Sequence, residues 1–217
     1  MYNNTLDFEL SKIERDLFRR FSDKLDSKGF KYLSVPSAIK WETLDKQGFD
    51  RRDSLHISDR RNALAGSAEQ GILEYFQDKK VDSMKIYAQN TCFRRENIEI
   101  ENLRLEEFIK LEQFCFTTKD KWEEDFNLLL NNAIEFLDEL EIKNRVVDMT
   151  IKDKGYHLKK LDIEIYTEKY GWIESHSCTY FGEEQTKRFN ITGSTHTISN
   201  TGIASPRILI PIIEKLY

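Results

Sequence analysis

The amino-acid sequence predicts an α+β fold, in which an antiparallel β-sheet is flanked by helices. Two observations support this class. Several segments carry apolar residues at helical spacing, and between them lie shorter segments in which apolar and polar residues alternate. Only 9 glycines and 3 prolines occur in 217 residues, so long flexible linkers are not expected.

The predicted helices are recognised by their apolar stripes. The first covers about residues 7–28, where Leu17, Phe21 and Leu25 fall on one side, and Gly29 is a suitable residue to end it. Further helices are predicted after residue 67, over residues 121–140, and from about residue 204 onward with Pro206 in the first turn.

The predicted strands alternate apolar and polar side chains. Residues 84–96 and 103–117 are long enough to form an antiparallel pair joined by a short polar turn. The other strands are predicted over residues 30–35, 145–151, 158–167, 172–179 and 188–192.

The predicted strand pair concentrates groups suited to chemistry on one face. Because side chains alternate along a strand, Arg94 and Glu96 point the same way, as do Phe108, Lys110 and Glu112. An arginine binds phosphate in a forked geometry, an aromatic ring stacks on a purine, and a carboxylate binds an amino group. The alternative is that these residues form only the solvated face of a two-sided sheet.

Composition limits the classes of function. The formal net charge of −5 gives no support to binding of nucleic acid by the chain alone. We expect neither a signal peptide nor a transmembrane helix, and free thiols for the three separated cysteines, so we expect no membrane partner and a cytoplasmic location.

Five segments, in order, resemble motifs of the class II aminoacyl-tRNA synthetases, in the form that the seryl enzymes have. GFKYLSVPSAI resembles motif 1, LAGSAEQGIL the loop for the substrate amino group, and TCFRRE with RLEEFIKLEQF motif 2. LDIEIY, WIESHSCT and Gln185 follow the spacing of the next strands, and HTISNTGIASPRILIPIIE is similar to motif 3. The resemblance covers nearly the whole chain and implies the catalytic core of this family.

The resemblance implies an ATP site. Arg94 would hold the α-phosphate and the amino-acid carboxylate, and Glu96 would bind the adenine amino group. Phe108 would stack on adenine, and Arg207 would hold the γ-phosphate and cover the other face of the ring. Arg94 and Arg207 are the expected catalytic residues, and the chemistry needs no protein nucleophile.

The resemblance also implies a magnesium site at Glu174 and Ser177. These residues are three apart, so a regular strand would place them on opposite faces, and the role requires a bulge or twist between them. The expected cofactors are ATP and Mg²⁺. Zinc is not expected, because no cysteine occupies the amino-acid positions.

The implied amino-acid site has two parts. Ser67 and Glu69 match the loop that receives the substrate α-amino group, and Glu112 and Thr201 match residues that contact the serine hydroxyl. Ser199 departs from the family pattern, since Ser199-Asn200 replaces Asn-Gly, and it is expected to alter the floor of the pocket.

The expected function is that of an ATP-dependent aminoacyl ligase. We expect activation of a small amino acid, serine first and then glycine or alanine, as the aminoacyl-adenylate. We expect residues 1–217 to form a single catalytic domain without a tRNA-binding arm or anticodon-binding domain, and transfer to a non-tRNA acceptor such as a carrier-protein thiol or a small molecule. The alternatives are aminoacylation of tRNA with the RNA-binding part supplied in trans, and a non-catalytic paralogue. A homodimer through residues 7–36 is expected.

Overall fold

The fold is built on a seven-stranded sheet, seen in a computed structural model that describes residues 5–49, 61–95, 103, 105–153 and 155–216. The strands of the described chain are β1 (Lys31–Tyr32), β2 (Ala38–Lys40), β3 (Asn62–Leu64), β4 (Lys80–Val81), β5 (Met84–Phe93), β6 (Glu107–Thr117), β7 (Asn144–Asp148), β8 (Lys159–Thr167), β9 (Gly171–Gly182), β10 (Thr192–Gly193) and β11 (His196–Ser205). Its helices are α1 (Phe8–Ser27), α2 (Trp41–Gln47), α3 (Ala68–Phe76), α4 (Trp122–Glu139), α5 (Glu184–Arg188) and α6 (Leu209–Leu216).

The strand order of this sheet is β1-β5-β6-β11-β9-β8-β7. Every neighbouring pair is antiparallel except β1 and β5. The predicted pairing of the two long central segments is therefore confirmed, as β5 and β6. The predicted class, an antiparallel sheet flanked by helices, is confirmed as well.

Helix α1 begins and ends where the sequence predicts. Asp7 caps it by accepting a hydrogen bond from the backbone N–H of Leu10 at 2.8 Å. Gly29 follows its C-terminus with φ of +79°, a conformation that a side chain would disfavour.

Two apolar layers cover the sheet, one on each face. On one side, α1 and α4 bury a core that includes Phe21, Leu25, Phe126 and Phe136. On the other side, α3 packs over part of the sheet. The alternation along β6 follows this division, because Leu111 and Cys115 join the first core whereas Phe114 and Phe116 join the second. The uncovered part of the second face is available for a site.

The predicted strand over residues 188–192 is wrong. Residues 184–188 form α5, and only Thr192 and Gly193 pair as a strand, with β4. The alternating apolar pattern at Phe189 and Ile191 arises because both side chains are buried against α3. Their backbone N–H groups are bonded to α5, at Gln185 O (3.0 Å) and Thr186 O (2.8 Å), so burial occurs without sheet pairing.

The predicted start of the last helix is also wrong. β11 remains paired with β6 as far as Ser205, opposite Ile109, and α6 begins only at Leu209. Pro206 therefore lies in the connection, and Pro211 is the proline in the first turn of α6. The predicted strand over residues 30–35 shortens to Lys31–Tyr32, because only those two residues pair with β5. The sequence does not predict elements α2, β2, β3 and β4.

Candidate active site

The β5–β6 hairpin places Phe108, Lys110 and Glu112 on one face, as the alternation predicts. Cys92 lies opposite Phe108, and Asn90 lies opposite Lys110. Beyond β5, the backbone N–H of Arg94 donates to Glu106 O at 2.9 Å, which keeps Arg94 on the same side as Phe108. Glu96, the predicted adenine-binding residue, lies outside the described residues.

A cavity of about 490 Å³ opens over this face of the sheet. It collects every predicted site residue that the structure describes. These are Ser67, Glu69, Arg94, Phe108, Glu112, Glu174, Ser177, Ser199, Thr201 and Arg207.

Two guanidinium groups line the cavity. The Arg94 Cζ atom is 5.5 Å from the centroid of the Phe108 ring, and Arg94 Nε donates to Gly66 O at 3.0 Å. Arg207 donates to Glu174 O at 2.7 Å and to Leu103 O at 3.1 Å. Backbone carbonyls thus hold both guanidinium groups in place, and guanidinium groups suit the binding of phosphate oxygens.

Glu174 and Ser177 are brought to this cavity by a β-bulge. His176 lies opposite Ile163 and Glu174 opposite Glu164, so Ser175 is an extra residue in β9. The irregularity that the sequence interpretation required is therefore present.

The oxygen atoms near this bulge suit a hard cation. Asp162 lies opposite Ser177, and its buried Oδ1 atom has no hydrogen-bond partner but lies 3.9 Å from Lys160 Nζ. Burial raises the pKa of the Asp162 carboxyl, against a hydrogen bond from Ser177 that lowers it. Among the described residues no cluster of three or more His, Cys, Asp or Glu side chains can hold a metal. An ion bound partly by substrate phosphates, as Mg²⁺ usually is, fits this small oxygen set.

A second set of residues that line the cavity forms a polar network. Ser67 donates to Glu112 Oε2 at 3.3 Å, and Lys110 Nζ lies 2.5 Å from the same oxygen. Thr201 lies directly opposite Glu112 across the β11–β6 pair. A hydroxyl, a carboxylate and an ammonium group are therefore in direct contact, and the carboxylate of Glu69 in α3 lines the same cavity.

Glu69 is a buried carboxyl of this network whose pKa is raised. It is 5% exposed, and its Oε1 atom accepts from Gln47 and, at 2.7 Å, from Gln185. Burial and the neighbouring Glu112 raise the pKa of Glu69, whereas hydrogen bonds from Ser199 and Gln47 lower it. A ligand cation placed here would relieve both causes of the rise.

Some cavity residues were not predicted from the sequence. Tyr156 and Lys160 come from the end of the β7–β8 connection and the start of β8, and Gln47 and Phe49 come from the end of α2 and the residues after it. None lies in a segment with a chemical motif, so only tertiary structure identifies them. Cys92 is fully buried, and burial raises its pKa to about 11, so it behaves as a small core residue.

No helix within the described residues has both the length and the apolar character needed to cross a bilayer.

The fold itself is that of a known family. Residues 54–215 match the family described as the tRNA synthetase class II core domain (G, H, P, S and T). The chain therefore belongs to the class II tRNA synthetase core family.

The similar proteins are mainly seryl enzymes. The serine–tRNA ligase of Deinococcus radiodurans is 32% identical over 220 residues, which cover 89% of this chain and 51% of that protein. The mitochondrial serine–tRNA ligase of Saccharomyces cerevisiae is 28% identical over 238 residues, covering 95% and 53%. The chain thus spans about half the length of the relatives it matches.

Solved structures agree with this assignment. The seryl-tRNA synthetase from Pyrococcus horikoshii, complexed with ATP, superposes with a TM-score of 0.91 at 25% identity, covering 97% of this chain and 52% of that one. The cytoplasmic serine-tRNA ligase from Naegleria fowleri, in complex with AMP, has a TM-score of 0.86 at 24% identity and so supports the fold. The resemblance stated from the motifs is confirmed.

Proposed function

We propose that this protein activates serine with ATP, forming seryl-adenylate and pyrophosphate. The observation that carries the proposal is the convergence of two groups of side chains in one cavity. Arg94, Phe108 and Arg207 suit a nucleotide, and Glu69 and Glu112 suit an amino acid. The structure of the Pyrococcus horikoshii relative with ATP supports the choice of nucleotide.

The reaction is an in-line displacement at the α-phosphorus. A carboxylate oxygen of serine forms the new O–P bond, and the bond from the α-phosphorus to the bridging oxygen breaks, releasing pyrophosphate. Arg94 orients the α-phosphate and the carboxylate, and Arg207 stabilises the charge of the departing phosphates. Mg²⁺, when bound, neutralises phosphate charge, and Glu174 with Ser177 would hold it. The side chains act by position and charge, and no covalent bond to the protein is formed.

Serine is the preferred substrate because the pocket contains partners for its hydroxyl. Glu112 and Thr201 face each other across two paired strands, and both are buried, at 2% and 5% exposure. A buried polar pair rejects a substrate that leaves it without hydrogen bonds. Glycine and alanine fit by size, but they lack the hydroxyl, so we rank them after serine.

Two acceptors for the activated serine deserve a direct comparison. The names of the relatives favour tRNA. The net charge of −5 favours a non-tRNA acceptor, such as a carrier-protein thiol or a small molecule, since RNA binding depends on cationic surfaces. Incubation of the protein with ATP, radiolabelled serine and purified serine tRNA distinguishes them. Labelling of the tRNA that decreases as salt is raised would establish tRNA as the acceptor and would exclude transfer to a non-tRNA acceptor as the main activity.

We also propose a homodimer through residues 7–36. This segment leaves large apolar side chains on its surface, with Phe8 98% exposed and Tyr32 55% exposed. Burial of such groups is a common driving force for association. Light scattering at micromolar concentration is expected to give twice the mass of the chain, and a monomeric mass would refute the dimer.

The test of activation is ATP–pyrophosphate exchange with each of the twenty amino acids. We expect exchange that depends on serine and is lost in Arg94→Ala. The matched control is Arg95→Ala, because Arg95 is the exposed neighbour and does not line the cavity. Exchange retained in Arg94→Ala would refute the proposed site. No exchange with any amino acid in a folded protein that still binds ATP would favour a non-catalytic nucleotide-binding protein.

A further inference from the structure

We propose that Tyr156 closes the amino end of the amino-acid pocket, so that the pocket takes a primary α-amine and rejects an N-alkylated one. This inference rests on the proposed function, since it concerns the amino acid that the same cavity would bind. It assigns a role to a residue outside every motif from which the family was identified.

The Tyr156 ring is fixed as a wall of the cavity. The Arg188 Cζ atom lies 4.0 Å from the ring centroid, and the Phe181 ring centroid lies 5.6 Å away. On another side the ring approaches Gly48 so closely that a Cβ atom there would be 3.3 Å from Tyr156 Cε1. Arg188 is itself held by Glu184, with Nε 2.7 Å from Oε1. The ring therefore has little freedom to move aside.

The segment that carries Tyr156 is tied to the sheet on both sides of the tyrosine. Before it, Thr150 Oγ1 accepts from the backbone N–H of Lys160 at 3.0 Å. After it, the backbone N–H of Leu158 donates to Tyr180 O at 2.8 Å, and His157 Nε2 lies 3.1 Å from Thr150 O. These hydrogen bonds hold the Tyr156 segment in place before a ligand binds. No free energy is therefore needed to order the segment when it excludes a substituent on the amine.

Tyr156 lines the same cavity as Glu69, the carboxylate that would receive the substrate amine. The Tyr156 hydroxyl forms a side-chain hydrogen bond with Gln185, which lowers its pKa, whereas burial and the charge of Glu69 raise it. Gln185 in turn donates to Glu69 Oε1 at 2.7 Å. Gln47 also donates to Glu69 Oε1, and the Tyr156 ring packs beside Gly48, the next residue in the chain. The ring would therefore lie beside the ammonium group that Glu69 receives. A methyl group on that nitrogen would meet the fixed ring.

Selection at the amine is separate from selection at the substrate side chain. The hydroxyl end of the pocket is formed by Glu112 and Thr201, on β6 and β11, whereas Tyr156 belongs to the β7–β8 connection. Loss of the ring should therefore relax the choice between serine and N-methylserine and leave the choice between serine and threonine unchanged. A general loosening of the pocket would relax both.

The experiment measures binding by calorimetry with the whole chain, saturated with α,β-methylene-ATP and Mg²⁺. The ligands are L-serine, N-methyl-L-serine and L-threonine. The variants are Tyr156→Ala, which removes the ring, and Tyr156→Phe, which keeps it. Tyr75→Ala is the matched control, because Tyr75 is an exposed tyrosine outside the cavity. Should Tyr156→Ala fail to fold, judged by its thermal unfolding, Tyr156→Leu replaces it.

We expect the wild-type protein to bind serine about 100-fold more tightly than N-methylserine, within the range that one misplaced methyl group produces. In Tyr156→Ala the ratio should fall below about 10, while Tyr156→Phe and Tyr75→Ala keep the wild-type ratio. An unchanged ratio in Tyr156→Ala would overturn the inference, as would an equal loss of serine–threonine discrimination. Serine binding without ATP–pyrophosphate exchange would refute only the proposed catalysis, whereas absence of serine binding would overturn both.

Discussion

The buried imidazole of His176 provides a test of the fold that is independent of activity. His176 is 1% exposed on β9, its Nε2 atom lies 3.0 Å from Gly202 O, and its Nδ1 atom is buried without a hydrogen-bond partner. Burial lowers the pKa of His176 from 6.5 to about 4. The folded protein therefore resists protonation of a group that the unfolded chain protonates readily.

The sign and size of the effect follow from these pKa values. Because the folded pKa is lowered, the stability that His176 contributes is present above pH 6.5 and is lost as the pH falls toward 4. A pH of 5 is about 1.5 pH units below the pKa of the histidine in the unfolded chain, so the unfolded chain binds the proton there. The folded protein keeps His176 neutral at the same pH. Lowering the pH from 7 to 5 should therefore cost about 2 kcal/mol of unfolding free energy through this residue alone.

His176→Gln removes the titration while keeping an amide donor for Gly202 O. Urea unfolding of both proteins at pH 7, 6 and 5 gives the difference in their unfolding free energies, in which the other titrating groups cancel. We expect the wild-type protein to lose about 2 kcal/mol more than the variant between pH 7 and 5. Parallel pH dependences would refute the buried, neutral state of His176.

Three further predictions address the site and the core. Burial and Glu112 raise the pKa of Glu69 in the folded protein. The protonated carboxyl therefore stabilises the fold at low pH, and this contribution to the free energy of unfolding is lost as the pH rises through the folded pKa. At pH 8, Glu69→Gln should therefore have a free energy of unfolding in urea that exceeds that of the wild type by on the order of 1 kcal/mol. The same variant should bind serine at least about tenfold more weakly, as measured by calorimetry. Phe108→Ala should raise the KM for ATP in pyrophosphate exchange by about tenfold and leave the KM for serine unchanged, because only the base stacks on the ring. Gly202→Ala should lower the free energy of unfolding by about 1–3 kcal/mol, since its Cβ would lie 2.4 Å from Phe21 Cε1, and an unchanged urea midpoint would contradict this packing.

The sequence predicts those parts of the site that depend on local periodicity. The alternation along β5 and β6 correctly places Arg94, Phe108 and Glu112 on one face, because the register of an antiparallel pair is a property of the two segments. Glu174 and Ser177 show the limit of this reasoning. Their spacing implies that a bulge is needed, but its position at Ser175 depends on the pairing with β8.

The rest of the site depends on tertiary contacts without a sequence pattern. Tyr156 lies in a polar connection, and its position follows from contacts with Gly48, Arg188 and Phe181, which are distant in the chain. The start of α6 was misplaced for a related reason. Pro206 is a residue type that suits the first turn of a helix, but pairing of β11 with β6 keeps the chain extended as far as Ser205.

The most direct test of amino-acid activation is detection of the adenylate itself. The protein, at a concentration above that of α-³²P-labelled ATP, is mixed with serine, Mg²⁺ and inorganic pyrophosphatase, quenched in acid, and separated by thin-layer chromatography. The proposal predicts a labelled species that co-migrates with synthetic seryl-adenylate, requires serine, and is absent with Arg94→Ala. A wild-type protein that binds ATP and serine but leaves the ATP intact would contradict it.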